Sequence, residues 1–167
     1  MSERIAEYLV ATLGDSFSPE VVAFIVSMLP ILELRGGLIA AKLMNIEFFK
    51  AFAICYAGNI LPIPFILLFI RKIFQILKKL PKVEQIITKL EARSLRKADN
   101  VRKYRLLGLL LFVGIPLPGT GAWTGALIAD LLDIRIKHSF PIICLGVLIA
   151  GIIMSIVSYG LLGLLGF

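Results

Sequence analysis

The sequence predicts an all-α integral membrane protein made of one domain, residues 1–167, and built as an inverted repeat. Each repeat is a re-entrant helical hairpin followed by a transmembrane helix, and a basic amphipathic cytoplasmic helix joins the repeats. Three observations predict this: the apolar content, two long uncharged runs, and a sequence repeat at a fixed offset. Hydrophobic residues make up 59% of the chain and charged residues 17%, and a soluble domain of this length has too little interior to bury so many apolar side chains.

The cysteines and the histidine exclude several classes of protein. Cys55 and Cys144 lie inside apolar runs and outside any CxxC pattern, and His138 is the single histidine. A structural zinc site needs about four nitrogen or sulfur ligands, and no nucleophile stands beside a base at a catalytic spacing. We therefore expect two free, buried thiols, no metal, no cofactor and no enzyme activity.

Two runs are long enough to cross a bilayer, which takes about 20 apolar residues. Residues 51–70 and 139–167 carry no charged side chain, so each is predicted to be a transmembrane helix. The residues before them, MSERIAE at 1–7, lack the basic stretch and apolar core of a signal peptide. They predict a short amphipathic helix at the membrane interface.

The two other apolar regions predict re-entrant hairpins. Residues 21–32 would give only about 18 Å of helix before the sequence LPILELRGG at 29–37, and 106–129 is interrupted by GIPLPGTGAWTG at 114–125. Prolines and glycines at this density break a helical ladder, and irregular backbone at membrane depth is tolerated only inside protein or along a cavity. The alternative, in which 20–46 and 106–132 cross completely, stays open.

The linker at 71–105 determines the predicted orientation. It holds 12 Lys and Arg and three acidic residues, a local charge of +9, whereas the rest of the chain has a charge of −2. Basic loops stay on the cytoplasmic side, and apolar residues recur at helical spacing after Pro81. The linker is therefore predicted to be a basic amphipathic helix on anionic headgroups. A nucleic-acid partner is not expected, because membrane segments flank this linker.

A shift of 88 positions aligns the first hairpin and span (about 20–70) with the second (about 106–160). Without a gap, eight pairs are identical: Pro30/Pro118, Gly37/Gly125, Ala41/Ala129, Leu43/Leu131, Ile46/Ile134, Phe52/Phe140, Ile54/Ile142 and Gly58/Gly146. Because the first span ends in the cytoplasmic linker, the first hairpin enters from outside and the second from the cytoplasm. Inverted repeats with broken helices at the midplane are typical of secondary transporters.

The two tip sequences, LPILELRGG and GIPLPGTGAWTGALIAD, resemble those of the small multidrug export protein family, which is similar to distant members of the DedA (VTT-domain) superfamily. The chain departs from longer DedA proteins by lacking additional spanning helices and an acidic residue before PxPG at the first tip. The resemblance implies proton-coupled movement of polyprenyl phosphate or phospholipid headgroups between the leaflets.

The tips also point to an anion site on physical grounds. A half-helix that begins at mid-membrane directs backbone N–H groups and a positive dipole end into the site, and an arginine fork suits a phosphate. Glu33 is predicted as a proton carrier or gate and Arg35 as the phosphate ligand, unless the two simply pair to stabilise the tip. The remaining predicted residues of the substrate and proton site are Gly36, Gly37, Asn59, Pro118, Gly119, Thr120, Gly121, Trp123, Thr124, Asp130 and Arg135.

Several of these residues have a structural alternative. Asp130 is either a second proton site or a solvated interfacial residue, and Arg135 is either a snorkelling anchor or a phosphate ligand. Trp123 lines the site or packs at the interface, and Asn59 is more typical of interhelical hydrogen bonding than of ligand binding. Thr120 and Thr124 are expected to add hydroxyl donors.

The predicted function is lipid-phosphate transport across a prokaryotic-type plasma membrane by a homodimer. One alternative is a small multidrug/proton antiporter in which Glu33 is the coupling carboxylate, although the +9 linker favours a single orientation. Another is a membrane assembly factor that transports nothing, and an ion exporter is the last.

Overall fold

A computed structural model describes residues 2–14, 16–77, 87–89, 92, 105–117 and 119–156. Over these residues the chain is helical and contains no strand, as the sequence predicts. The helices in chain order are α1 (Ser2–Leu13), α2 (Pro19–Met28), α3 (Glu33–Leu43), α4 (Phe48–Ile60), α5 (Ile63–Leu77), α6 (Leu106–Gly114), α7 (Ala122–Leu131) and α8 (Ile136–Ser155).

Two helical segments are long and apolar enough to cross a membrane, Phe48–Ile70 with 23 residues and Ile136–Ser155 with 20. Both coincide with runs that the sequence predicts to span. The first includes α4 and most of α5, with a turn at Leu61 and Pro62 between them. Residues 157–167 of the second predicted span lie outside the described residues.

The remaining helices of the two predicted hairpins are short. At 1.5 Å per residue, α2, α3, α6 and α7 each measure about 14–17 Å, roughly half of the hydrocarbon thickness. Local chemistry sets their ends: Pro19 provides a fixed φ at the first position of α2, and α2 stops where Leu29 becomes extended. Likewise α6 stops where Ile115 becomes extended.

The described residues cluster into two units. The first consists of Met1–Pro62 with Val147–Phe167, and the second of Ile63–Gly146. In the first unit α2 packs against α3 and α4, and α1 packs against α2 and α3. The core here is formed by Val22, Val26, Leu32 and Ala40 with the apolar face of α1 and Met44. The sequence predicts α1 at the membrane interface; the structure adds that its apolar face covers the first hairpin.

In the second unit α7 packs against α5 and α6. Its fully buried side chains include Leu109 of α6, Ile128 of α7 and Ile143 of α8. Cys144 is half-buried rather than buried as predicted, because it borders the uncovered side of α8 that holds Pro141 and Leu145. Cys55 of the first unit is buried, and both thiols are free.

The same turn follows α3 and α7. Asn45 and Asp133 both adopt a left-handed conformation, with φ of 56° and 51°. The N–H of Ile46 donates to the Ala41 carbonyl at 2.9 Å, and that of Ile134 donates to Ala129 at 2.8 Å. Such hydrogen bonds are typical of a helix C-terminus that ends in a left-handed residue. The residues of the first turn and the equivalent residues of the second are 88 positions apart.

Only a small part of the predicted linker helix belongs to the described residues. Residues 87–89 are helical, with Ile87 buried and Thr88 and Lys89 exposed. The amphipathic linker helix stays a prediction. The other apolar positions of the linker pattern, Val83, Ile86, Leu90, Leu95, Ala98 and Val101, lie outside the described residues.

Candidate functional site

The tip of the first hairpin places a carboxylate in a buried, strained position. Glu33 is the first residue of α3, has a φ of 51° and is 7% exposed. Its N–H donates to the Leu29 carbonyl at 2.8 Å, so one of the amides at this helix end is used within the tip. Arg35, half-buried on the same helix, interacts electrostatically with Glu33. This proximity agrees with both predictions for Glu33 and Arg35, a functional pair in the site and a pair that only stabilises the tip.

Gly36 and Gly37 are the points of closest approach around α3. A Cβ atom at Gly36 would lie 2.6 Å from Leu32 Cβ, and one at Gly37 would overlap Ser27 Oγ. The sequence predicts that these glycines let a ligand approach, and that role stays a prediction. The approach that the structure contains is between α3 and its neighbours in the protein.

The contact at Gly37 is part of a polar cluster that sequence reasoning missed. The hydroxyl of Ser27, on α2, donates to the Ala23 carbonyl at 2.8 Å, and Ser27 also bonds Cys55 of α4. A Cβ at Gly58 of α4 would lie 2.6 Å from the Phe24 carbonyl oxygen and 3.2 Å from Ser27 Cβ. A lone serine two residues before the end of an apolar helix was the available signal.

Asn59 follows this cluster on α4 and is 2% exposed. Its side-chain Oδ1 is buried and has no hydrogen-bond partner among the described residues. Whether Asn59 makes interhelical hydrogen bonds through its side-chain nitrogen or binds a ligand stays a prediction.

The second tip is shaped by glycines and by a threonine hydroxyl. Gly119 and Gly121 have φ values of 78° and 146°, conformations that side chains rarely adopt. Thr120 Oγ1 accepts from the Leu117 N–H at 3.2 Å and lies within 3.0 Å of two backbone carbonyl oxygens, those of Ile115 and Leu117. The hydroxyl expected to donate to an anion thus holds the tip together. Pro118 lies outside the described residues.

The other predicted residues of the second unit lie at both ends of α7 and beyond it. Trp123 and Thr124 are half-buried in its first turn, and Asp130 is half-buried in its last turn. Arg135 is exposed and precedes α8, where its carbonyl accepts from the N–H groups of His138 and Ser139 at 2.9 and 3.0 Å.

A cleft of about 360 Å³ lies at the base of the second hairpin. Its walls carry three basic side chains, Arg105, Arg135 and His138, together with Leu106, Asp133 and Ile134. Arg105 directly precedes α6 and Arg135 directly precedes α8, so the positive ends of two helix dipoles are at the cleft. The sequence indicated Arg135 but missed His138, one helical turn further on, and Arg105, which the fold brings to the same cleft.

Within the described residues, no three His, Cys, Asp or Glu side chains come together to hold a metal ion. The candidate chemistry therefore consists of a buried carboxylate beside a guanidinium, a buried amide, and a basic cleft. These are groups suited to binding charged ligands.

A family model described as “Putative small multi-drug export protein” matches residues 33–153, more than two thirds of the chain. The chain belongs to this family. The match begins at Glu33, inside the first hairpin tip, and includes every predicted site residue, the whole second tip and most of both candidate spans. No curated protein matches the chain, and no solved structure matches it.

Family membership, with two helices able to cross a bilayer, indicates a membrane protein with a role in transport rather than an enzyme. The link to the DedA superfamily stays a prediction.

Proposed function

We propose that the protein transports a phosphate-bearing lipid, polyprenyl phosphate or a phospholipid headgroup, between the leaflets of a prokaryotic-type plasma membrane. The observation that carries this proposal is the basic cleft of Arg105, Arg135 and His138. A phosphate dianion would receive two guanidinium forks and the positive ends of α6 and α8. A hydrophobic cation would be repelled there.

The proposed topology is an inverted repeat of two re-entrant hairpins with a cytoplasmic linker and extracytoplasmic termini. Its support is the length of the hairpin helices, the turn repeated at an offset of 88 residues, and the +9 charge of 71–105. The basic cleft then lies where the headgroups of the cytoplasmic leaflet are. A homodimer is part of the proposal, because two spans offer little surface to enclose a polar path.

Cysteine labelling tests this topology. In a background with Cys55→Ala and Cys144→Ala, single cysteines at positions 5 and 165 are exposed to a membrane-impermeant maleimide in intact cells. We expect both to be labelled, and a cysteine at position 72 in the linker to be labelled only after lysis. Labelling of all three positions from the same side would mean that the hairpins cross the membrane completely.

The proposed path continues from the cleft to the tip of the first hairpin. Arg35 would bind the phosphate at membrane depth, and Glu33 would carry or gate a coupled proton. The support is the burial of Glu33 and its proximity to Arg35. A buried carboxylate beside one cation can exchange a proton as the cation is shared with an incoming phosphate.

A second candidate is a cationic-drug/proton antiporter. Two observations favour it: the family's description names drug export, and Glu33 is a buried acid in an apolar hairpin. In this case Glu33 would bind the proton and the cation alternately, and the basic cleft would have no part in substrate binding.

Leaflet-resolved transport in phosphatidylcholine liposomes distinguishes the two candidates. A fluorescent polyprenyl phosphate is placed in the inner leaflet, and its appearance outside is read by an impermeant quencher, in parallel with uptake of a cationic dye. We expect transport of the phosphate lipid, reduced at least tenfold by Arg105→Gln with Arg135→Gln and unchanged by Arg4→Gln, an exposed arginine on α1. Dye uptake without lipid transport would support the antiporter instead.

A further inference from the structure

Asn59 occupies an unusual place in the first span. The span Phe48–Ile70 has 23 residues, and Asn59 is its central residue, with eleven on each side. The helix from Phe48 to Asn59 rises about 16 Å at 1.5 Å per residue, roughly half of the hydrocarbon thickness. Asn59 is 2% exposed, and its Oδ1 has no hydrogen-bond partner in the described part of the chain.

Leaving such an oxygen unpaired is costly, because no water is present at this depth to bond it. A second copy of the chain cannot supply the missing donor, since the side chain is already enclosed by its own chain. Buried polar groups that lack a partner in native proteins call for a ligand or a functional role.

The backbone beside Asn59 adds further acceptor oxygens. In a continuous helix the carbonyls of Gly58 and Ile60 would accept from the N–H groups of residues 62 and 64. Both of those residues are proline and have no N–H. Asn59 thus stands in the chain between two residues whose carbonyls lack their helical donors, at the carboxyl end of α4, which also carries the negative end of the helix dipole.

We propose that the carboxyl end of α4 binds a small cation through Asn59 Oδ1 and the backbone carbonyls of Gly58 and Ile60. Neutral carbonyl oxygens at the end of a half-helix are ligands that suit a monovalent cation in a membrane interior. The shared chemistry is a compact positive charge, which can come from Na⁺ in solution or from the ammonium group of a substrate. This site does not depend on the proposed lipid-phosphate transport.

The test measures cation-dependent stability of the purified full-length protein in nanodiscs. Thermal unfolding is followed by the fluorescence of Trp123, the single tryptophan, in sodium chloride, ethylammonium chloride or choline chloride at equal ionic strength. A cation that binds only the folded state raises the Tm, by roughly 5 °C at a hundredfold excess over its Kd. We expect one of the two small cations to raise the Tm above its value in choline, and the one that does identifies the source.

Three variants separate a cation site from other roles. Asn59→Leu removes the oxygen and should abolish the rise, while its Tm in choline equals or exceeds that of the wild type because an unpaired buried carbonyl is gone. Pro62→Ala restores an N–H to the Gly58 carbonyl and should shrink the rise. Ser155→Ala is the control, since Ser155 is buried but its hydroxyl already donates to the Gly151 carbonyl, and it should keep the full rise.

Two outcomes would overturn the site. One is a wild-type Tm that neither small cation raises above its value in choline, and this result needs no variant to fold. The other is an Asn59→Leu protein that folds and retains the full rise. The nanodisc lipid is the same in every salt and no lipid movement is measured, so these outcomes are decided separately from lipid transport.

Discussion

The two hairpins share a shape but differ in chemistry at their centres. Ser27 and Val113 each lie two residues before the C-cap of the first helix in their hairpin. A Cβ added at Gly37 or Gly58 would meet the side chain of Ser27. One added at Gly125 or Gly146 would meet the side chain of Val113. The glycines of the two sets are 88 residues apart. Small residues bring the backbones together in both units, but the contact is polar in the first and apolar in the second.

The bases of the hairpins differ in the opposite sense. In the first unit Lys50 pairs with Glu20 at 2.7 Å, and the Glu47 carboxylate caps α4 by accepting from two backbone N–H groups. The positions 88 residues after Lys50 and Glu47 are His138 and Arg135, which line the open basic cleft. The first hairpin thus has an ion pair at its base and a polar contact at its centre. The second has an apolar contact at its centre and basic side chains at its base.

The close glycine contacts thus occur in both units, while the side chains at the centre and base of each hairpin differ. Four of the five buried polar side chains in the described residues, Ser27, Glu33, Asn59 and Ser155, belong to the first unit. We infer that the first unit carries the buried ion chemistry and the second receives the headgroup.

The largest expected effects test the equivalence of the two glycine contacts. Gly37→Ala and Gly125→Ala should each destabilise the protein by about 2 kcal/mol, because the new Cβ would overlap Ser27 Oγ or lie 2.5 Å from Val113 Cγ2. Chemical unfolding in detergent measures this. Ser27→Gly should rescue the first variant and Val113→Ala the second, and a rescue that works in only one unit would break the equivalence.

The next effect concerns the carboxylate that only the first tip carries. Glu33 corresponds by the 88-residue offset to Gly121. Glu33→Gln keeps the shape of the side chain but cannot exchange a proton, so liposome transport should no longer respond to an imposed pH gradient. The control is Glu7→Gln on the exposed side of α1. A wild-type response in Glu33→Gln would place the coupling elsewhere.

A smaller effect is expected from a substitution at the base of the second hairpin, which should raise stability but lower transport. Arg135→Glu introduces the residue that caps α4 at the equivalent position and should stabilise the protein by about 1 kcal/mol. The same change reverses a charge in the cleft and should reduce transport of the phosphate lipid at least tenfold. Thermal unfolding measures the change in stability, and the liposome assay measures the change in transport. Loss of stability or unchanged transport would contradict the roles given to Glu47 and Arg135.

The smallest effect concerns the ion pair at the first base. Its hydrogen bond from Lys50 lowers the pKa of Glu20 below 4.5 in the folded protein. The pair therefore contributes stability above that pH and loses it as the pH falls through the lowered pKa of Glu20. Both side chains are largely exposed, so the contribution is small. Lys50→Met should lower the Tm slightly at pH 7, and the difference from the wild type should shrink as the pH falls below 4.5. A difference in Tm that does not change with pH would show that it comes from packing.

Much of the fold follows from local patterns. Uncharged runs predict the spans, and the clusters of proline and glycine predict the interruptions where α2 and α6 stop, because these residues act on the backbone next to them. Less of the candidate site could be predicted from the sequence. Glu33 and Arg35 were predicted as charges in an apolar context, but Ser27 was missed because its importance depends on Gly37 and Gly58, which belong to other helices.

What the sequence alone determined is the class of protein, its helical content, the two candidate spans and the internal repeat. These depend on composition, charge and spacing, which need no knowledge of contacts. The tertiary structure decided that Ser27 of α2 lies where a Cβ at Gly37 of α3 would be, and that Arg105 lines the same cleft as Arg135. Among the described residues, it also left the buried Oδ1 of Asn59 without a hydrogen-bond partner. Burial and hydrogen-bond partners are properties of pairs of residues far apart along the chain, and only folding brings such pairs together.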